Sequence, residues 1–171
     1  MRDLAEMGAK AGALLKARGE RVAVAESSAG GLISAALLAV PGASTFFTSG
    51  AVVYTARALK TLVDVSREDI QAQGMRSSSE PYALFLATRM RERHRVEWAI
   101  AETGAAGPTG NPYGDPAGHT CLAVVSSGFS KARTLRTGNA DRTANMWAFT
   151  DAALALLVEA LEAANEGRTL S

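Results

Sequence analysis

A chain of 171 residues that is 47% hydrophobic and 20% charged has the size of one globular domain and enough apolar content to bury a sizeable core. Its 18 Lys and Arg against 17 Asp and Glu give a formal charge of +1, which excludes a broad basic surface for nucleic acid or anionic membrane and leaves only a local site for a small anion. Residues 1–171 are expected to form a single domain, and a cytoplasmic one, since Met1 to Glu6 carries charge at once and no run of about 18 apolar residues occurs.

Leu4, Met7, Ala11, Leu14 and Leu15 follow helical spacing, with Asp3 near the start and Gly19 as a stop. Arg21 to Ala25 is a short apolar run ending at Glu26, and after Gly30-Gly31 the stretch Leu32 to Val40 predicts a helix closed by Pro41-Gly42. Phe46 to Tyr54 is rich in β-branched and aromatic residues and predicts a strand, followed by a helix or helical turn over Ala56 to Val63. Ser66 and Asp69 form a capping-box-like pair opening a short helix to Gln73, and Ser79-Glu80-Pro81 opens a longer one to about Arg93.

Val96 to Ala101 predicts a strand. Gly104 to Gly118 then places five Gly and three Pro in fifteen residues, the composition of a loop. Ala117 to Ser126 and Ala132 to Thr137 predict a hairpin turning near Ser127-Gly128, and a last helix runs from about Arg142 to Ala164. This alternation predicts an α/β protein, a three-layer α/β/α sandwich around a mixed, mostly parallel sheet of about five strands. Ligands of such sheets bind at strand ends, which points to the glycine-bearing loops after Ala25 and after Ala101.

Glu26-Ser27-Ser28-Ala29-Gly30-Gly31 lies where a strand turns into a helix. Free N–H groups there can hold a phosphate or an oxyanion, or Ser27 and Ser28 can simply cap the helix while the glycines make the turn. Thr103 to Gly110 allows close backbone approach to a ligand or forms a plain surface loop; it matches neither a Walker loop nor a dinucleotide fingerprint. A serine nucleophile needs a base. His94 sits in a charged run and His119 at a strand edge, which leaves Lys60 as the nearest candidate by segment, or as a solvated helix charge. No metal-ligand spacing occurs, so neither metal nor cofactor is expected, and Cys121, in the apolar run to Val125, is expected to be a buried inert thiol. Phe46, Phe47, Phe85, Trp98, Trp147 and Phe149 fall in apolar periodic segments and are expected in the core.

Four stretches resemble the CinA C-terminal domain family. Ala25-Glu26-Ser27-Ser28-Ala29-Gly30-Gly31 is similar to its A-E-S-C-T-G-G, Pro41-Gly42-Ala43-Ser44 with Phe47 and Gly50 to P-G-[AS]-S-x-x-F-x-x-G, and Thr103 to Pro108 to [ST]-G-x-A-G-P; Tyr54 and the segment after it are the fourth. The resemblance implies hydrolysis of the carboxamide of nicotinamide mononucleotide, a small phosphorylated substrate, by a homo-oligomer. Ser27 would be the nucleophile, with Tyr54 assisting and a lysine as base, a role open to Lys60 if local geometry lets it reach. Ser28, Gly30, Gly31, Thr103, Gly104, Ala106, Gly107 and Arg142 would surround the substrate.

The family's Y-S-N-E-A-K is replaced by Tyr54-Thr55-Ala56-Arg57-Ala58-Leu59-Lys60, so Leu59 falls at the lysine position and Lys60 one residue later, a turn of about 100° on a helix. Ala29, Ala56 and the stretch Asp115 to His119 also depart from the pattern, and Arg142 stands two positions late. The alternative is a catalytically impaired relative that binds a nucleotide-like phosphate as a regulatory module. Lys60 separates the two: a base must come within about 3 Å of Ser27 Oγ, directly or through one water.

Overall fold

A computed structural model describes residues 3–169, with side chains described through residue 167. Helix α1 (Leu4–Arg18) begins where the Asp3 carboxylate accepts from Ala5 N–H at 2.8 Å and ends at Gly19, whose φ of 63° lets the chain reverse. Then come β1 (Val22–Glu26), α2 (Leu32–Leu38), a 3-10 turn (Ala43–Thr45), β2 (Phe47–Val52), α3 (Ala56–Val63), α4 (Arg67–Ala72) and α5 (Glu80–His94). Strands β3 (Trp98–Ala105), β4 (His119–Val125) and β5 (Ser130–Arg136) precede the last helix, α6 (Arg142–Thr169).

The five strands form one mixed sheet in the order β2-β1-β3-β4-β5. Pairings of β1 with β2 and β3 are parallel, and those of β4 with β3 and β5 are antiparallel, so the four divide evenly where a mostly parallel sheet was expected. The late hairpin supplies both antiparallel pairs.

Strand alternation separates two cores. Val22, Val24, Trp98, Ile100, Leu122 and Val124 face α1, α2 and α6. Ala23, Ala25, Ala99, Ala101, Cys121 and Ala123 face α3, α4 and α5, and their short side chains bring α5 close over β1, β3 and β4. Cys121 is buried as expected, and burial pushes its thiol pKa up. Helix α6 is long and apolar enough to cross a membrane by length and composition, but Phe149, Ala153, Leu156, Leu157 and Leu161 of its apolar face lie in the first core.

A strand end and a side-chain placement depart from expectation. β3 runs four residues past Ala101, because Glu102 to Ala105 find antiparallel partners in Leu122 to His119. His119, expected at a strand edge, is buried on β4 between β3 and β5, its Nε2 3.0 Å from the Ser78 carbonyl.

Candidate functional site

Parallel register aligns Ala25 of β1 with Ala101 of β3, so the next residues, Glu26 and Glu102, leave adjacent strands side by side. Both carboxylates are fully buried. Glu26 Oε1 accepts from Gly31 N–H at 2.7 Å and Ile33 N–H at 3.1 Å, and its Oε2 accepts from Ser34 N–H at 2.9 Å and the Ser34 hydroxyl at 2.7 Å. Burial raises the Glu26 pKa against the pull of these Ser34 and Ile33 bonds, and the charge on Glu102 pushes the same way as burial. Glu102 Oε2 accepts from Ser27 N–H at 3.0 Å and Ala29 N–H at 2.8 Å, while Oε1 accepts from the Ser28 hydroxyl and from Thr120 Oγ1 at 2.8 Å.

A cavity of about 700 Å³ opens on the α3–α5 side of these strand ends. Ser27, Tyr54, Thr103 and Gly104 line it together. Two large aromatics stay exposed at its wall, Tyr54 at 58% and Tyr113 at 50%, a disposition that offers flat apolar surface to a planar ligand. Arg67 also lines the cavity and has no hydrogen-bond or ion-pair partner among the described residues.

The other expected site residues do not reach the cavity. Lys60 Nζ lies on the exposed outer side of α3, 2.5 Å from Asp64 Oδ1, and that bond raises the ammonium pKa, the reverse of what a base needs. Leu59 is buried and takes the cavity wall instead. Ser28 is buried on Glu102; Gly31 N–H is held by Glu26, and Gly30 N–H by the Ser27 carbonyl at 3.1 Å. Apart from that of Ser28, the N–H groups from Ser27 to Ser34 thus serve internal acceptors, and no adjacent pair is left there for a phosphate. Ala106 and Gly107 present their carbonyls to α6, Ala106 to Asn145 Nδ2 at 2.7 Å and Gly107 to Arg142 Nη1 at 2.6 Å. Arg142 also donates to the Tyr54 hydroxyl at 3.0 Å, so it braces a wall residue from behind.

Sequence reasoning missed Glu26, Glu102, Asn145 and the Arg76–Asp115 pair. Arg76, on the cavity wall, makes a bidentate contact to Asp115 at 2.7 and 3.2 Å, and Asn111 Nδ2 donates to the same carboxylate at 2.8 Å. The Arg76 bond, aided by Asn111 and opposed by burial, holds the Asp115 carboxyl below the ordinary range. A depressed carboxylate contributes stability that is full above the unfolded pKa of about 4 and is lost as pH falls through the folded value. Urea midpoints of the unmodified protein should therefore fall in that acid window more steeply than those of Asp115→Asn, and parallel profiles would refute the contribution.

A mixed sheet covered by helices, with a cavity at the carboxyl ends of its parallel strands, defines an α/β domain whose cavity lies where open α/β sheets ordinarily take ligands. The sequence profile of the CinA C-terminal domain matches residues 4–161, and the chain belongs to that family. It is 37% identical over 155 residues to a CinA-like protein of Chloroherpeton thalassium, covering 89% of this chain and 36% of that one. A CinA-like protein of Anaeromyxobacter sp. strain K is 39% identical over 138 residues, 80% of this chain and 33% of its own. The chain thus spans about a third of the length of the curated relatives it matches. Among solved structures, a CinA superfamily protein from Klebsiella pneumoniae superposes with a TM-score of 0.83 at 28% identity, covering 94% of this chain and 99% of that one. A competence/damage inducible protein from Agrobacterium tumefaciens gives 0.83 at 32%, covering 95% and 97%.

Proposed function

We propose that this chain is a CinA-family module that binds a small phosphorylated, nucleotide-like molecule in the Ser27 cavity and does not carry out lysine-assisted amide hydrolysis. The observation that carries this reading is Lys60, paired with Asp64 outside the cavity while Leu59 takes its place. Exposed Tyr54 and Tyr113 suit a planar ring, and Arg67, without a partner among the described residues, suits a phosphate. Ser27 on the cavity wall favours a second reading, amide hydrolysis of nicotinamide mononucleotide with a proton acceptor other than Lys60.

Calorimetry and ammonia release with nicotinamide mononucleotide separate the two. Binding without ammonia is expected, unchanged in Lys60→Ala and about tenfold weaker in Arg67→Ala, as loss of one charged contact implies. Ammonia released by the unmodified protein and by Lys60→Ala, but not by Ser27→Ala, would establish the amidase. Absence of binding would overturn the first reading.

A further inference from the structure

We infer that Glu102 decides what the serine turn can hold: its own carboxylate fills the Ser27 and Ala29 N–H pair, so the turn is closed to anions and a phosphorylated ligand lies with its phosphate away from Ser27. A strand-to-helix turn ordinarily offers such N–H groups to an external phosphate or a developing oxyanion. Here seven of the eight N–H groups from Ser27 to Ser34 already have acceptors within the turn, in Glu26 or in Glu102. No adjacent pair is left for a ligand.

Glu102 is built for this role. Its residue is fully buried, each oxygen accepts two hydrogen bonds, and the four donors come from both sides of the site: Ser27, Ser28 and Ala29 of the turn, and Thr120 of β4. Four acceptances saturate a carboxylate. The same residue borders the cavity beside Ser27, where its charge repels a second anion at the inner end. Arg67, the cavity cation without a partner among the described residues, then becomes the place for a phosphate. Only that last step depends on the proposed binding function; closure of the turn does not.

The test is a titration of the isotope-labelled protein with inorganic phosphate, following the backbone amides of Ser27 and Ala29 and the Arg67 side chain by NMR. Glu102→Gln keeps a carbonyl oxygen over the two N–H groups and can turn its NH2 toward the hydroxyls of Ser28 and Thr120, which accept as well as donate. Glu102→Ala removes the acceptor. In the unmodified protein and in Glu102→Gln, phosphate should move Arg67 and leave both amides in place. In Glu102→Ala the amides should follow phosphate with an affinity at least about tenfold higher than any response of the unmodified protein, since two charge-assisted bonds become available.

Ser27 and Ala29 amides that respond to phosphate in the unmodified protein as they do in Glu102→Ala would overturn the inference, as would a folded Glu102→Ala whose amides ignore it. If Glu102→Ala does not fold, hydrogen exchange of the two amides in the unmodified protein decides, because closure requires slow exchange and rapid exchange refutes it. A silent Arg67 with closed amides would instead count against the binding function and leave the closed turn standing.

Discussion

Glu26→Ala is expected to be the most destabilising single substitution at the site, costing roughly 3–5 kcal/mol and lowering the melting temperature by about 10 °C. The truncation leaves the N–H groups of Gly31, Ile33 and Ser34 without their acceptor at the start of α2, where Ile33 is fully buried and Gly31 and Ser34 are half-buried. Each unsatisfied buried donor costs about 1–3 kcal/mol, and the losses overlap because one turn relaxes as a unit. Glu26→Gln should recover little. Both Glu26 oxygens face backbone N–H donors, so whichever way the amide sits, its NH2 meets another donor. That distinguishes it from Glu102, one of whose oxygens faces only hydroxyls. Thermal unfolding of both Glu26 variants checks this, and a melting temperature within a degree or two of the parent would show that the turn is held by its glycines alone.

The fold was legible because its elements carry their own punctuation. Asp3 and Gly19 bound α1, Ser66 and Asp69 exchange the two hydrogen bonds of a capping box, and Ser79 caps α5 ahead of Pro81. What propensity could not see was pairing. The Glu102 to Ala105 stretch contains a glycine and leads into a Gly- and Pro-rich segment, so it reads as loop, yet β4 offers it a ladder and it becomes strand.

The same holds for the site. Ser27, Tyr54, Thr103 and Gly104 share a cavity, as position after the strands and the family resemblance indicated. Lys60 failed because a one-residue offset on a helix changes the face, and the apolar Leu59, not the charge, belongs inside. For Glu26 a signal was available. A carboxylate that ends an all-apolar strand and precedes a run of small residues is well placed to accept from the N–H groups of the turn that follows. Glu102 gave a weaker one, since its partner Thr120 lies across a ladder that the sequence does not display.

Gly104→Ala is the second substitution expected to have a large effect, at about 3 kcal/mol, because the methyl group would meet immovable atoms. A Cβ at this position would lie 2.4 Å from the His119 carbonyl oxygen, 2.7 Å from Thr120 Cβ and 2.8 Å from Thr120 Cα. Two of those three belong to the β4 backbone, so relief requires β3 and β4 to separate at the residue where they pair, Gly104 with Thr120. Separation there draws Thr120 Oγ1 away from Glu102, which then holds the serine turn with fewer partners, and it displaces Thr103 and Gly104 on the cavity wall. Stability and ligand affinity should consequently fall together. Gly128→Ala is the matched control, since a Cβ there meets nothing within 4 Å, and it should stay within about 0.5 kcal/mol of the parent. Chemical denaturation of the two variants, with calorimetry on Gly104→Ala, gives the comparison. Equal stability would mean that the strands yield without cost, whereas a destabilised variant of unchanged affinity would show that the cavity wall is set by α3–α5 and not by the β3–β4 ladder.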